Sequence, residues 1–325
     1  MSHPSNSQAN DQWHTRFAAA KSLAVAMSGT SGLLGRNLKA VLESQGHRVV
    51  PILRAAKSGE TDSIQWDTAK QIMDARGFEN CDVVVHLAGE NIVSGRWNKA
   101  RKDRISESRI RGTRAVVDAL EESSPRPRLL VSASAVGFYG NRGDEILDEN
   151  SAAGEGFFAD LAQGWEAEAL RAETLDVRGV CLRFGVILTP EGGALKKMLP
   201  AFRAGMGGRL GSGRQWMSWL SIDDAIGIIL EAIRNEDYRG PINAVAPELV
   251  NNQQFTKALG RVLRRPTILP VPAFALRALF GELADEALLA STRAQPERLQ
   301  QLGYEFRDAE LFPCLSRLCG RSDVD

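Results

Sequence analysis

The stretch that most constrains this 325-residue chain runs from Ser22 to Arg54. A short apolar run, Leu23 to Met27, meets Gly29-Thr30-Ser31-Gly32-Leu33-Leu34-Gly35. An amphipathic stretch, Arg36 to Gln45, then leads through Gly46 into a second apolar run, His47 to Leu53. The pattern predicts strand, tight turn, helix and strand. Without a Cβ, Gly29 and Gly32 allow a sharp turn and a close backbone approach to a ligand, and Gly35 lets the helix pack on its strand. The helix's free N–H groups and positive dipole end would face a pyrophosphate, so the expectation is a dinucleotide-binding turn.

The end of the second strand usually separates the two nicotinamide dinucleotides. An acidic residue there accepts hydrogen bonds from a ribose 2′-hydroxyl, whereas an arginine grips a 2′-phosphate with its fork. Arg54 holds that position, Lys57 follows it, and Arg36 opens the helix. NADP is therefore expected over NAD, the alternative being three solvated charges.

Composition excludes several classes. Forty basic and forty acidic residues cancel, which argues against nucleic acid bound by bulk charge. No apolar run is long enough to span a bilayer, and no basic segment followed by an apolar core opens the chain, so a cytoplasmic protein without a membrane partner is expected. The stretch Met1 to Thr15 reads as a polar, loose leader. Cys81, Cys181, Cys314 and Cys319 are too few and scattered for a disulfide framework, and the four histidines show no ligand spacing, so no metal is expected.

Further along, Ile64 to Asp67 reads as a third strand. Cys81 to Gly89 reads as a buried strand closed by Leu87-Ala88-Gly89, with Glu90 and Asn91 at its carboxyl end, where open α/β sheets bind ligands. Helical character runs from Arg96 to Glu122, and the strand from Leu129 leads into Ser134 and Tyr139, candidates for contact with reacting atoms. A helix is expected over 156–175 and a strand over 177–188, which carries Arg183. Glycine-rich, basic loops surround 205–213, and Trp216 and Trp219 either line a pocket or fill the core. A helix start at Ser221 to Asp224, a strand near 241–245, a helix over 252–263 and an apolar helix over 273–294 complete the reading. The alternation implies a doubly wound parallel sheet with helices on both faces.

The glycine turn, His86-Leu87-Ala88-Gly89, the 134–140 stretch and Ile222-Asp223-Asp224-Ala225 resemble extended short-chain dehydrogenase/reductases of the nucleotide-sugar epimerase type. The phrases at 87–92, 132–137, 211–219 and 270–276 are similar to an atypical epimerase-like branch with a C-terminal helical module. With residues 1–20 read as a leader from their composition, the resemblance covers about residues 22–318 and implies a Rossmann-type domain over 21–190 with a later return near 215–245, and a small mixed α/β lobe over 191–325 for substrate. It also implies a bound NAD(P) contacted by residues 29–36, Arg54, Leu87, Ala88, Gly89 and Arg183.

Ordinary members of that family use a tyrosine followed four residues later by lysine; tyrosinate moves the alcohol proton and lysine lowers its pKa. Here the residues four beyond Tyr139, Tyr238 and Tyr304 are Gly143, Ile242 and Asp308, and no lysine stands between Lys102 and Lys196. Ser134 aligns with the family's catalytic serine. Two functions stay open: an NADP-dependent oxidoreductase or epimerase using Tyr139, with Arg183 as the cation that lowers its pKa, or Glu90; or a non-catalytic NADP(H)-sensing, protein-binding module. Substrate and oligomeric state, including a homodimer, are left open.

Overall fold

The apolar runs become strands because both of their faces are covered. A computed structural model describes residues 13–17, 21–54, 62–93 and 97–320. Its main sheet contains β1 (Ala24–Ser28), β2 (Arg48–Leu53), β3 (Ile64–Asp67), β4 (Ile72–Met73), β5 (Val83–His86), β6 (Leu129–Ala135), β7 (Arg178–Phe184) and β8 (Gly240–Ala244). Their order is β8-β7-β6-β5-β1-β2-β3-β4, parallel except for the β3–β4 pair. The doubly wound, Rossmann-type sheet is thus present, and its strand order reverses between β1 and β5.

Alternation along β1 sorts residues to the two faces. Val25 and Met27 join a large core with Leu38 and Leu42 of α1 (Leu33–Ser44). Ala26 joins a smaller core with Val116 and Leu120 of α2 (Lys99–Glu122). The helix α3 (Phe157–Leu170) lies against β6 and β7. Beyond these come α4 (Gly193–Arg203), α5 (Ile222–Arg234), α6 (Asn252–Val262), α7 (Ala273–Phe280), α8 (Glu297–Gln301) and α9 (Leu311–Cys319).

Several elements differ from the expectation. The strand expected over 177–188 breaks at Gly185, because the Ser218 carbonyl passes where a side chain would stand, and Val186–Leu188 pairs separately with Trp219–Ser221. The long helix expected over 273–294 stops after α7, where Gly281 takes a left-handed φ of 60°. Between the glycine-rich loops, α4 forms because Leu195, Leu199 and Phe202 recur at helical spacing and are buried. Most of the expected leader lies outside the described residues. Trp13 to Phe17, however, is packed: Phe17 stacks on Tyr304 and His14 is buried beside Asp223.

The acidic pair at the start of α5 is a docking hub. Asp224 accepts the Ser221 hydroxyl, the Tyr304 hydroxyl and the backbone N–H groups of Arg307 and Asp308. Asp223 meets Arg317 of α9 at 2.7 Å, and Arg317 also pairs with Asp308. Four donors on one buried carboxylate make Asp224 the anchor of the C-terminal segment. Asp224→Ala should lower stability by about 3 kcal/mol, because buried donors lose their acceptor. Urea unfolding and the rate of thiol labelling at buried Cys314 check this; an unchanged midpoint with no faster labelling would remove Asp224 from that role.

Candidate dinucleotide site and its buried polar network

The glycine turn sits at the reversal point of the sheet, between the carboxyl ends of β1 and β5. Gly29 has a φ of +71°, and a Cβ on it would stand 2.8 Å from the Leu87 carbonyl carbon; one on Gly35 would stand 2.1 Å from the Gly29 oxygen. Neither position admits another residue without backbone movement. The turn closes through a 2.9 Å bond from the Gly32 N–H to the Gly29 carbonyl. No side chain caps α1, so the N–H groups of Leu33, Leu34 and Gly35 are left facing the cleft beside exposed Ser31 and half-buried Thr30. A backbone cradle with no room for side chains, opening on an uncapped helix, fits a pyrophosphate.

Ser28 fixes the two strand ends together. Its hydroxyl lies 2.8 Å from His86 Nδ1 and accepts the Leu87 and Ala88 N–H groups, each at 3.1 Å. His86 is fully buried, and burial, with neighbouring Arg109, pushes its pKa down to about 4. Beneath Gly89 lies the Arg109 guanidinium, close enough to crowd a Cβ there, donating to the Glu90 carbonyl and stacked on Trp165. Burial lowers its pKa to about 10, so it keeps its charge at neutral pH. Sequence alone assigns Arg109 no role, because nothing local sets it apart from the other arginines of α2.

Arg54 ends at the surface after β2 and has no ion-pair partner among the described residues. Arg36, on the first turn of α1, meets Glu191 at 3.5 Å. Lys57 lies outside the described residues. Glu90 pairs with Arg101 at 2.5 Å.

Ser134 and Tyr139 belong to one buried network. Ser134, 4% exposed at the carboxyl end of β6, donates to Glu166 Oε1 at 2.6 Å. Arg183 clamps both oxygens of Glu166 at 2.8 Å and donates to the Tyr139 hydroxyl, also at 2.8 Å. The Tyr139 proton faces the Asp148 carbonyl and Asn243 Oδ1.

This arrangement corrects two expectations. Tyr139 has no exposed surface, and burial pushes its pKa up to about 12 although Arg183 and Asn243 pull the other way. The cation is where the sequence reading wanted it, yet desolvation outweighs it. Arg183 is committed to Glu166 and Tyr139, is not free to hold a cofactor, and keeps a raised pKa: burial opposes its charge, and the Glu166 carboxylate more than restores it. Glu166 was missed. Its signal was positional: Ala159, Ala162, Glu166 and Ala169 share the buried face of α3, so a carboxylate there needs a buried partner.

The tryptophan pair divides. Trp219 is core and donates to the Glu248 carbonyl, whereas Trp216 is partly exposed, bonded to Asp144 and covered by Arg293 at 4.0 Å. No group of three metal-ligating side chains occurs among the described residues, and no helix among them is long and apolar enough to cross a membrane.

Comparison with known proteins places this geometry. The NAD dependent epimerase/dehydratase family matches residues 25–244, and a domain of unknown function, DUF1731, matches residues 271–318, from α7 to α9. Epimerase family protein Mb2239 of Mycobacterium bovis is 42% identical over 282 residues, covering 87% of this chain and 93% of its own. The human epimerase family protein SDR39U1, crystallised with NADPH, superposes with a TM-score of 0.83 at 32% identity, covering 91% of this chain and 99% of that one. A nucleoside-diphosphate sugar epimerase from Corynebacterium glutamicum gives 0.77 at 33% identity, covering 96% of this chain and 62% of that one.

The depressed His86 pKa sets an acid limit on the turn. Between the unfolded value of about 6.5 and the folded value of about 4, the unfolded chain binds more protons, so stability is complete above pH 6.5 and is lost as pH falls through that window. Wild type should lose up to roughly 3 kcal/mol more than His86→Gln between pH 7 and pH 4. Urea midpoints for both proteins across that range check it, and parallel curves would refute it.

Proposed function

Because this chain belongs to the NAD dependent epimerase/dehydratase family, we propose that it is an NADP(H)-binding oxidoreductase or epimerase whose proton path runs through Ser134 and Glu166. The observation that carries the reading is the 2.6 Å hydrogen bond between a serine at the carboxyl end of β6 and a buried carboxylate. The cradle at Gly29 to Gly35 holds the pyrophosphate, Arg54 and Arg36 take the 2′-phosphate, and the Leu87 to Gly89 backbone borders the cleft. Human SDR39U1, crystallised with NADPH, supports the choice of cofactor. Bound there, NADP(H) supplies or accepts the hydride.

The chain's own residues move the proton. As a substrate alcohol loses its proton, Ser134 Oγ accepts it and passes its own to Glu166; the reverse transfer serves reduction. Arg183 fixes both Glu166 oxygens, so the carboxylate is already oriented when the proton arrives. Tyr139 supports Arg183 from the far side and does not titrate in this scheme. The substrate is a small molecule of unassigned identity.

A second reading is an NADP(H)-responsive binding module, favoured by the commitment of Tyr139 to buried partners. The two separate on turnover. NADPH oxidation across ketone, quinone and sugar-nucleotide panels, reduced about a hundredfold by Ser134→Ala with NADPH affinity kept, supports the enzyme. Tight NADPH binding with no turnover in any panel supports the module. The cofactor assignment has its own check: Arg54→Glu should weaken NADPH about tenfold or more while leaving NADH little changed, because only NADPH carries the 2′-phosphate. Equal losses would refute it.

A further inference from the structure

The overall charge of zero conceals a strong local imbalance. Residues 192–222 contain no aspartate or glutamate, and neither do residues 249–281, although the two segments together carry ten lysines and arginines. The fold lays them side by side. Val271 donates its N–H to the Arg209 carbonyl, Gly211 donates to the Val271 carbonyl, and Gly205 lies against Pro266. Arg203, Arg209, Arg264 and Arg265 are consequently neighbours on one exposed surface, with no ion-pair partner among the described residues.

The same surface holds the most exposed large apolar side chains of the described residues. Ile268 is 83% exposed, Leu279 76%, Phe274 74%, Leu269 65% and Met206 64%. Soluble surfaces rarely group such residues without an occupant. These side chains stand well exposed on short segments beside the arginines, as insertion into a deformable apolar phase requires.

We propose that this surface docks on an anionic lipid bilayer, with Ile268, Leu269, Phe274 and Leu279 entering the headgroup–acyl boundary and the surrounding arginines meeting lipid phosphates. The charge supplies attraction over about a Debye length, and the apolar residues supply retention. Docking is peripheral and independent of the nucleotide site, since Arg203 and Met206 follow the far end of α4 from Glu191, the residue that meets Arg36.

Co-sedimentation of the full chain with vesicles tests it. Binding to mixed phosphatidylcholine/phosphatidylglycerol vesicles, absent with phosphatidylcholine alone and falling steeply with salt, is the expected result. Ile268→Ser with Leu269→Ser, and separately Arg264→Glu with Arg265→Glu, should each weaken binding roughly tenfold or more while leaving NADPH affinity and the thermal midpoint in place. No binding to either vesicle, equal binding to both, or binding unaffected by these variants overturns the proposal. So does a dimer mass by light scattering without lipid that reverts to monomer in the Ile268→Ser, Leu269→Ser protein, because the patch would then belong to a second copy.

Discussion

The buried ion pair of Glu166 and Arg183 ties the candidate centre together. Taking two charges out of water costs several kcal/mol each, and the mutual attraction offsets that only when geometry is good and the remaining polar groups are satisfied. Here the guanidinium is bidentate on the carboxylate, Ser134 donates to one oxygen, and the Tyr139 hydroxyl accepts from the third guanidinium nitrogen. Four elements meet through it: α3, β6, β7 and the turn after β6. Replacing either charge would leave the other buried and alone, so the alignment of Ser134 depends on a pair that has no need to touch a ligand.

That dependence explains how much the sequence discloses. The glycine turn is legible because its constraint is local: a Cβ at Gly29 or Gly35 collides with backbone whatever the rest of the chain does. The strands are legible for the same reason, since burial on both faces leaves continuous apolar runs. Tyr139 misleads because the local pattern shows an aromatic acid just past a strand end and cannot show Leu147, Val245 and Ala294 closing around it. Burial reverses the direction of its pKa. Glu166 and Arg109 are hidden because their partners stand far away in sequence, and a charge on a helix reads as solvated until the opposing surface is known.

The two halves of the candidate site are built in different ways. The cradle is fixed by backbone geometry and tolerates little change. The other half rests on side chains, a serine, a carboxylate and a guanidinium joined beside the carboxyl ends of β6 and β7. Folds of this class host many unrelated functions.

The acidic pair at the start of α5 has a mechanical meaning as well. His14, from the earliest described segment, and Arg317, from the last helix, both meet Asp223. Phe17 lies stacked on Tyr304, whose hydroxyl reaches Asp224. The described chain is therefore closed into a ring by non-covalent contacts, and tension applied at either end is carried by the same two carboxylates into α5, which lies against β6 of the main sheet.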